Sequence, residues 1–268
     1  MVVVGGLAMG AGIAAGAVVT GQAVAIGDPA WGEVTAGDVD QEPPALVEET
    51  LTPEPSPLST APPADPEALA DTMILADGLT LAERRAGVLS DAVPSSATGT
   101  LVVVPGAEAA PHPERTVRTV RVEFEEGLDV DGEAFADFVM ETLNDPRGWG
   151  GDASMSFART DGTAQIRVVL ASPAKVDAMC APLNTRGIYS CGRYGHAAIN
   201  HTRWVQATDE FSDLTQYRQY VVNHEVGHLL GRQHTSCPAS GQLAPIMQQQ
   251  TIAVAPCLPN AWPFPAPA

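Results

Sequence analysis

The sequence predicts an α+β domain over residues 98–268, with α/β-like alternation of its elements. Three observations carry this expectation. Segments with the period-two alternation of strands are interleaved with segments of helical period, and no internal repeat interrupts them. The net charge of −18 is unevenly spread, residues 28–97 holding 14 acidic side chains against Arg84 and Arg85 alone. Hydrophobic residues make up 45% of the chain, enough for one core of ordinary size once the acidic stretch is set aside.

Residues 1–27 carry no charge and are long enough to cross a bilayer, which takes about 20 apolar residues, although seven glycines and seven alanines make them only mildly apolar. A positive n-region is missing, while Ala23-Val24-Ala25 forms an A-x-A-like cleavage site. The expectation is a signal peptide cut after Ala25 or an uncleaved transmembrane anchor. Both make the protein secreted or extracytoplasmic and membrane-anchored, at the cell envelope.

Residues 28–97 are acidic and punctuated by proline, as in Thr52-Pro53-Glu54-Pro55-Ser56-Pro57. Few aromatics and high like charge leave too little apolar surface to offset ordering entropy, so a mostly disordered linker is expected. Within it, residues 65–89 have some helical character anchored by Leu69, Met73 and Leu81.

In the domain, residues 116–124 alternate Val117, Val120, Val122 and Phe124 with charge and read as a strand. Residues 131–143 place Phe135, Phe138, Val139 and Leu143 at helical spacing before the breaker Asn144-Asp145-Pro146. Residues 155–159 and 165–170 are two further strands, and Asp161-Gly162 between them is a hairpin signal. A short helix follows near 174–179, then strands at 195–200 and 204–207. A longer helix is expected over 213–230 with Ser212 or Asp213 as its N-cap. Beyond Gly231 the chain reads as loop, ending in the proline-rich 259–268.

Cys180, Cys191, Cys237 and Cys257 permit two disulfides in any of three connectivities. Neighbour pairing is favoured because each bridge then closes a short loop, and an oxidising compartment suits it. None shows the C-x-x-C spacing of a structural zinc site. The scarcity and scatter of basic residues argue against a nucleic-acid partner and against a polybasic membrane patch. The chain is read as a monomer.

The chemistry is concentrated in Asn223-His224-Glu225-Val226-Gly227-His228-Leu229-Leu230-Gly231-Arg232-Gln233-His234. His224 and His228 are four apart on the expected helix, so both imidazoles share a face and can bind one metal. Glu225 sits beside the open coordination position. A continued helix points His234 away from the metal, because six residues rotate it by about 240°. The helix therefore has to end, and Gly231 supplies the left-handed residue that ends it. Three neutral histidines with one position open is the catalytic arrangement for Zn2+.

These residues match H-E-x-x-H-x-x-G-x-x-H, and Ala244-Pro245-Ile246-Met247 follows as a tight turn. The chain thus resembles the metzincin clan of zinc peptidases over roughly its last 170 residues, with Met247 as the structural Met-turn. More closely it is similar to an uncharacterised family of exported actinobacterial zincin-like proteins. Tyr217-Arg218, Cys237-Pro238, Met247-Gln248-Gln249-Gln250-Thr251, Cys257, Pro259-Asn260 and Trp262-Pro263 carry that likeness. The clan resemblance implies a twisted mixed sheet above a zinc-binding active-site helix, with an edge strand antiparallel to bound substrate. Residues 195–200 are the expected edge strand.

The function implied is a zinc-dependent endopeptidase acting on a peptide or protein substrate, with one catalytic zinc on His224, His228 and His234 and Glu225 as general base. The rival readings are a non-catalytic zinc-binding module of the cell envelope and a zinc amidase of wall peptides. In several metzincins a tyrosine two residues after the turn methionine helps stabilise the oxyanion, but Gln249 stands there. Gln248, Gln249, Arg232 and Tyr194 are the alternatives. His196 and His201 lie near the expected edge strand and read as structural, as do Tyr217 and Tyr220.

Overall fold

The computed structural model of the chain describes residues 71–265. The expected signal or anchor at 1–27 and most of the expected linker lie outside them. Among the described residues no helix is long and apolar enough to cross a membrane. That finding corrects the transmembrane expectation, and the membrane-anchored localisation built on it, for everything described.

Order begins before residue 98. Helix α1 (Leu81–Arg85) is capped by Thr80, whose side chain accepts from the Glu83 amide while the Glu83 carboxylate takes the Thr80 amide. This reciprocal capping box stabilises a helix too short to persist alone. Leu79, Ala86 and Val88 around it are buried in the core, so part of the expected linker belongs to the fold.

The remaining elements are β1 (Leu101–Val103), β2 (Thr116–Glu125), α2 (Gly132–Asn144), β3 (Met155–Arg159), β4 (Ile166–Ala171), α3 (Pro173–Cys180), β5 (Cys191–Arg193), β6 (His196–Asn200), α4 (His201–Gln206) and α5 (Leu214–Leu229). The strands form one open mixed sheet in an α+β fold, in the order β1-β2-β4-β6-β5 with β3 also on β2. Strands β2, β3, β4 and β6 run parallel, and β1 and β5 antiparallel to their neighbours.

Period-two alternation sorts the sheet's side chains. Val120, Val122, Ile166, Val168, Leu170, Ala197 and Ile199 face the main core with α2 and α5. On the other face Val169, Ala171 and Ala198 form a smaller cluster with Val176 of α3 and the two cysteines Cys180 and Cys191.

Three local expectations are corrected. Strands β3 and β4 form no hairpin: both pair parallel with β2, one on each side, and the 160–165 connection crosses it. Thr160 donates to the Val120 carbonyl, and Thr119 and Gln165 bond one another's backbone at that crossing. Residues 204–207 are not a strand. Asn200 caps α4 there, and the Trp204 ring inserts edge-on between Phe135 and Phe138, with centroids at 5.1 and 5.3 Å. Finally, the strand at 196–200 lies inside the sheet between β4 and β5, so the edge is β5. Both disulfides join sequence neighbours, Cys180 to Cys191 and Cys237 to Cys257.

Candidate metal centre

Helix α5 starts at Asp213, whose carboxylate accepts from the Thr215 and Gln216 amides at 2.8 and 3.3 Å. From Tyr220 to Gly227 every residue is buried, so the polar ones have to find partners inside. Tyr220 donates its hydroxyl to the Gln248 carbonyl, Asn223 donates to the Ala261 carbonyl, and Trp149 donates to the Asn223 carbonyl. The helix is thereby wrapped by the irregular segment that follows it. Gly231 ends it with φ +83°, and Arg232 donates back to the Gly227 carbonyl. The turn brings His234 to the other two histidines, and Thr235 donates to the Met247 carbonyl just beyond.

The ligand nitrogens of His224, His228 and His234 all lie within 4.8 Å of one another. His224 Nδ1 donates to the Ile246 carbonyl at 2.9 Å, and His228 Nδ1 to the Arg232 carbonyl at 3.0 Å. Those bonds place both protons on Nδ1 and leave the Nε2 lone pairs free to ligate. His228 Nε2 and His234 Nε2 are 3.1 Å apart, as two donors converging on one centre. Burial pushes His224 down to about 3, and it lowers His228 and His234 as well. All three rings are therefore neutral at pH 7, the form that binds a metal. An all-imidazole cluster with the outer nitrogens of His224 and His228 tied to carbonyls fits a metal ion.

Glu225 lines the same cavity of about 310 Å3 as the three histidines. Burial pushes its carboxyl up to about 8, opposed by the Gly192 backbone amide of β5. That strand approaches α5 closely: a Cβ on Gly192 would lie 2.0 Å from the Glu225 carbonyl oxygen. Met247 is buried, and its Sδ lies against the α5 backbone at Gly227, where a Cβ would meet it at 2.6 Å.

Of the side chains singled out for oxyanion stabilisation, Gln249 lines the cavity. Gln248 is turned away, its amide donating to the Ala253 and Val254 carbonyls, Arg232 stacks over Trp149, and Tyr194 is 69% exposed beside Arg193. His196 bonds the Met179 carbonyl and His201, the first residue of α4, is buried, and neither lines the cavity. The cavity wall made by residues 183–185 and 189–192, together with Thr251 and Ile252, was not foreseen from the sequence. The only signal for it was the short spacing of Cys180 and Cys191.

A family model described as a protein of unknown function (DUF3152) matches residues 89–257. The chain belongs to this family. No curated protein and no solved structure matches it. The DUF3152 span contains the three-histidine cluster, the cavity and both disulfides, and it begins at Leu89, inside the segment expected as linker.

Proposed function

We infer that this DUF3152 protein is a zinc-dependent hydrolase of peptide bonds, built as a metzincin-like peptidase with Met247 as its Met-turn. The observation that carries this reading is the sharing of one cavity by three converging imidazoles and Glu225. A structural site has no need of a carboxylate there.

His224, His228 and His234 would hold the ion, and three protein ligands leave a tetrahedral zinc one open position. Zinc so held supplies Lewis acidity toward a carbonyl and acidifies water. The Glu225 carboxylate takes the proton of the attacking water and passes it to the leaving nitrogen. Burial alone favours the neutral acid, and a cation held by the neighbouring histidines would return Glu225 to the carboxylate. The Ile246 and Arg232 carbonyls keep His224 and His228 in the ligating tautomer. β5 offers its outer edge along the cavity, where an extended substrate can pair with it.

The test is a peptide-library digest by the zinc-loaded parent and Glu225→Gln. Cleavage by the parent and its loss in a variant that keeps zinc is the expected result. Equal hydrolysis by both would remove Glu225 from the mechanism. A second reading, a metal-binding module without turnover, is favoured by one observation: Tyr220, the tyrosine beside His224, has its hydroxyl tied to the Gln248 carbonyl and Gln250 amide. Zinc in both proteins with hydrolysis in neither supports that reading.

A further inference from the structure

Helix α5 buries an arginine as well as the histidines. Arg218 is 0% exposed and precedes His224 by six residues, about 9 Å of helix rise. Its Nε donates to the Trp204 carbonyl of α4 at 2.7 Å. Nη1 and Nη2 are buried too, and among the described residues neither has a hydrogen-bond partner. The four N–H donors on these two nitrogens and a positive charge are thus enclosed without an acceptor. Burial pushes the guanidinium down to about 10, so it stays charged at pH 7.

Arg159, the other buried arginine among the described residues, shows what such a group ordinarily requires. Its Nη1 and Nη2 each donate to the Glu133 carboxylate at 2.9 Å, a bidentate pair. No carboxylate does this for Arg218. The charges of Glu83 and Asp213 act on it, yet both groups are committed to helix caps. Glu83 takes the Thr80 amide and hydroxyl, and Asp213 takes the Thr215 and Gln216 amides. The Trp204 ring, its centroid 5.8 Å from Cζ, offers only a weak cation–π contact.

A buried charge left unpaired is among the costliest features a fold can carry. Water in the guanidinium fork satisfies the donors and leaves the charge, whereas an anion answers both. A single guanidinium matches a single negative charge, and a divalent oxyanion would leave a net charge buried. Full enclosure favours a small ion.

We propose that Arg218 Nη1 and Nη2 form a buried binding site for one small monovalent anion, chloride in ordinary salt. The ion stabilises the helix that carries Glu225 and two of the three histidines. This site goes beyond the metal-hydrolase reading and does not depend on it.

The test unfolds full-length parent and Arg218→Met with urea over a range of chloride concentrations, gluconate keeping the ionic strength constant. At saturating chloride the parent's folding equilibrium constant is expected to rise about 10-fold for each 10-fold rise in chloride, the linkage of one ion per chain. Arg218→Met keeps the surface charges and the metal ligands, and it should lose that dependence. Crystals of the full-length parent grown in bromide give a second readout, which stands even where Arg218→Met does not fold. An anomalous bromide peak against Nη1 and Nη2 is expected. No peak there, or an equal chloride dependence in Arg218→Met, overturns the site. A peak in a parent whose stability ignores chloride is an adventitious ion only, and overturns it as well.

Discussion

Gly192→Ala is expected to be the most damaging single-methyl addition near the site. The added Cβ would sit 2.0 Å from the Glu225 carbonyl oxygen and 2.8 Å from His228 Cβ, whereas ordinary contact begins near 3.4 Å. Strand β5 and helix α5 would have to separate by roughly 1.4 Å, and both obstacles are backbone or rigidly held atoms. Overpacking of this kind costs about 3 kcal/mol, equivalent to a fall in Tm of about 10 °C for a domain of this size. The displacement also carries the Gly192 amide away from Glu225, and a 1 Å misplacement is worth about 100-fold in rate. Thermal unfolding followed by circular dichroism, with hydrolysis measured well below the variant's Tm, reads both effects. Gly162→Ala is the control, since its nearest atom is 3.5 Å away. A Gly192→Ala protein that melts within about 2 °C of the parent, or melts early with full activity, would refute the close packing of β5 on the site.

Acid should destabilise the fold through His201, which burial pushes down to about 4 from 6.5. Its contribution is complete above pH 6.5 and is lost between 6.5 and about 4, amounting to about 3 kcal/mol. Urea titrations across that window should show the loss shrinking by this amount in His201→Asn, and equal losses in both proteins would contradict it. Replacing Cys237 and Cys257 together by serine opens a bridge with a sequence separation of 20 and should cost about 3 kcal/mol by chain entropy. Because that loop carries Met247 and Ile252, zinc affinity should fall with stability; an unchanged urea midpoint would contradict the role of the bridge.

The parts of the fold legible in the sequence are those where a local period or cap decides the outcome. Val120 and Val122 alternate with charge because one face of β2 is core, and Asp213 and Gly231 mark the two ends of α5 by local chemistry alone. The spacing of His224, His228 and His234 was legible for the same reason, since a helix repeat and a left-handed turn fix where those rings point. What stayed hidden was set by distant contacts. Residues 201–206 contain strand-forming Trp204 and Val205, yet Trp204 packs on Phe135 and Phe138 and donates to the Ala86 carbonyl, which rewards a helix. The Asp161-Gly162 turn could not reveal that β2 intervenes between β3 and β4. Strand β5, Cys-Gly-Arg, is too short to show a period, and its importance comes from the absence of a side chain at Gly192.

The proposed function stands on one metal ion held jointly by His224, His228 and His234. The most direct measurement is zinc stoichiometry with thermal unfolding for the full-length parent and His234→Ala, the ligand whose ring is exposed. One zinc per chain is expected in the parent, with stabilisation of about 4 kcal/mol when free zinc is 1,000 times Kd; both should be lost in the variant. Zinc held equally by parent and variant, or no stabilisation of the parent by zinc, would contradict the site.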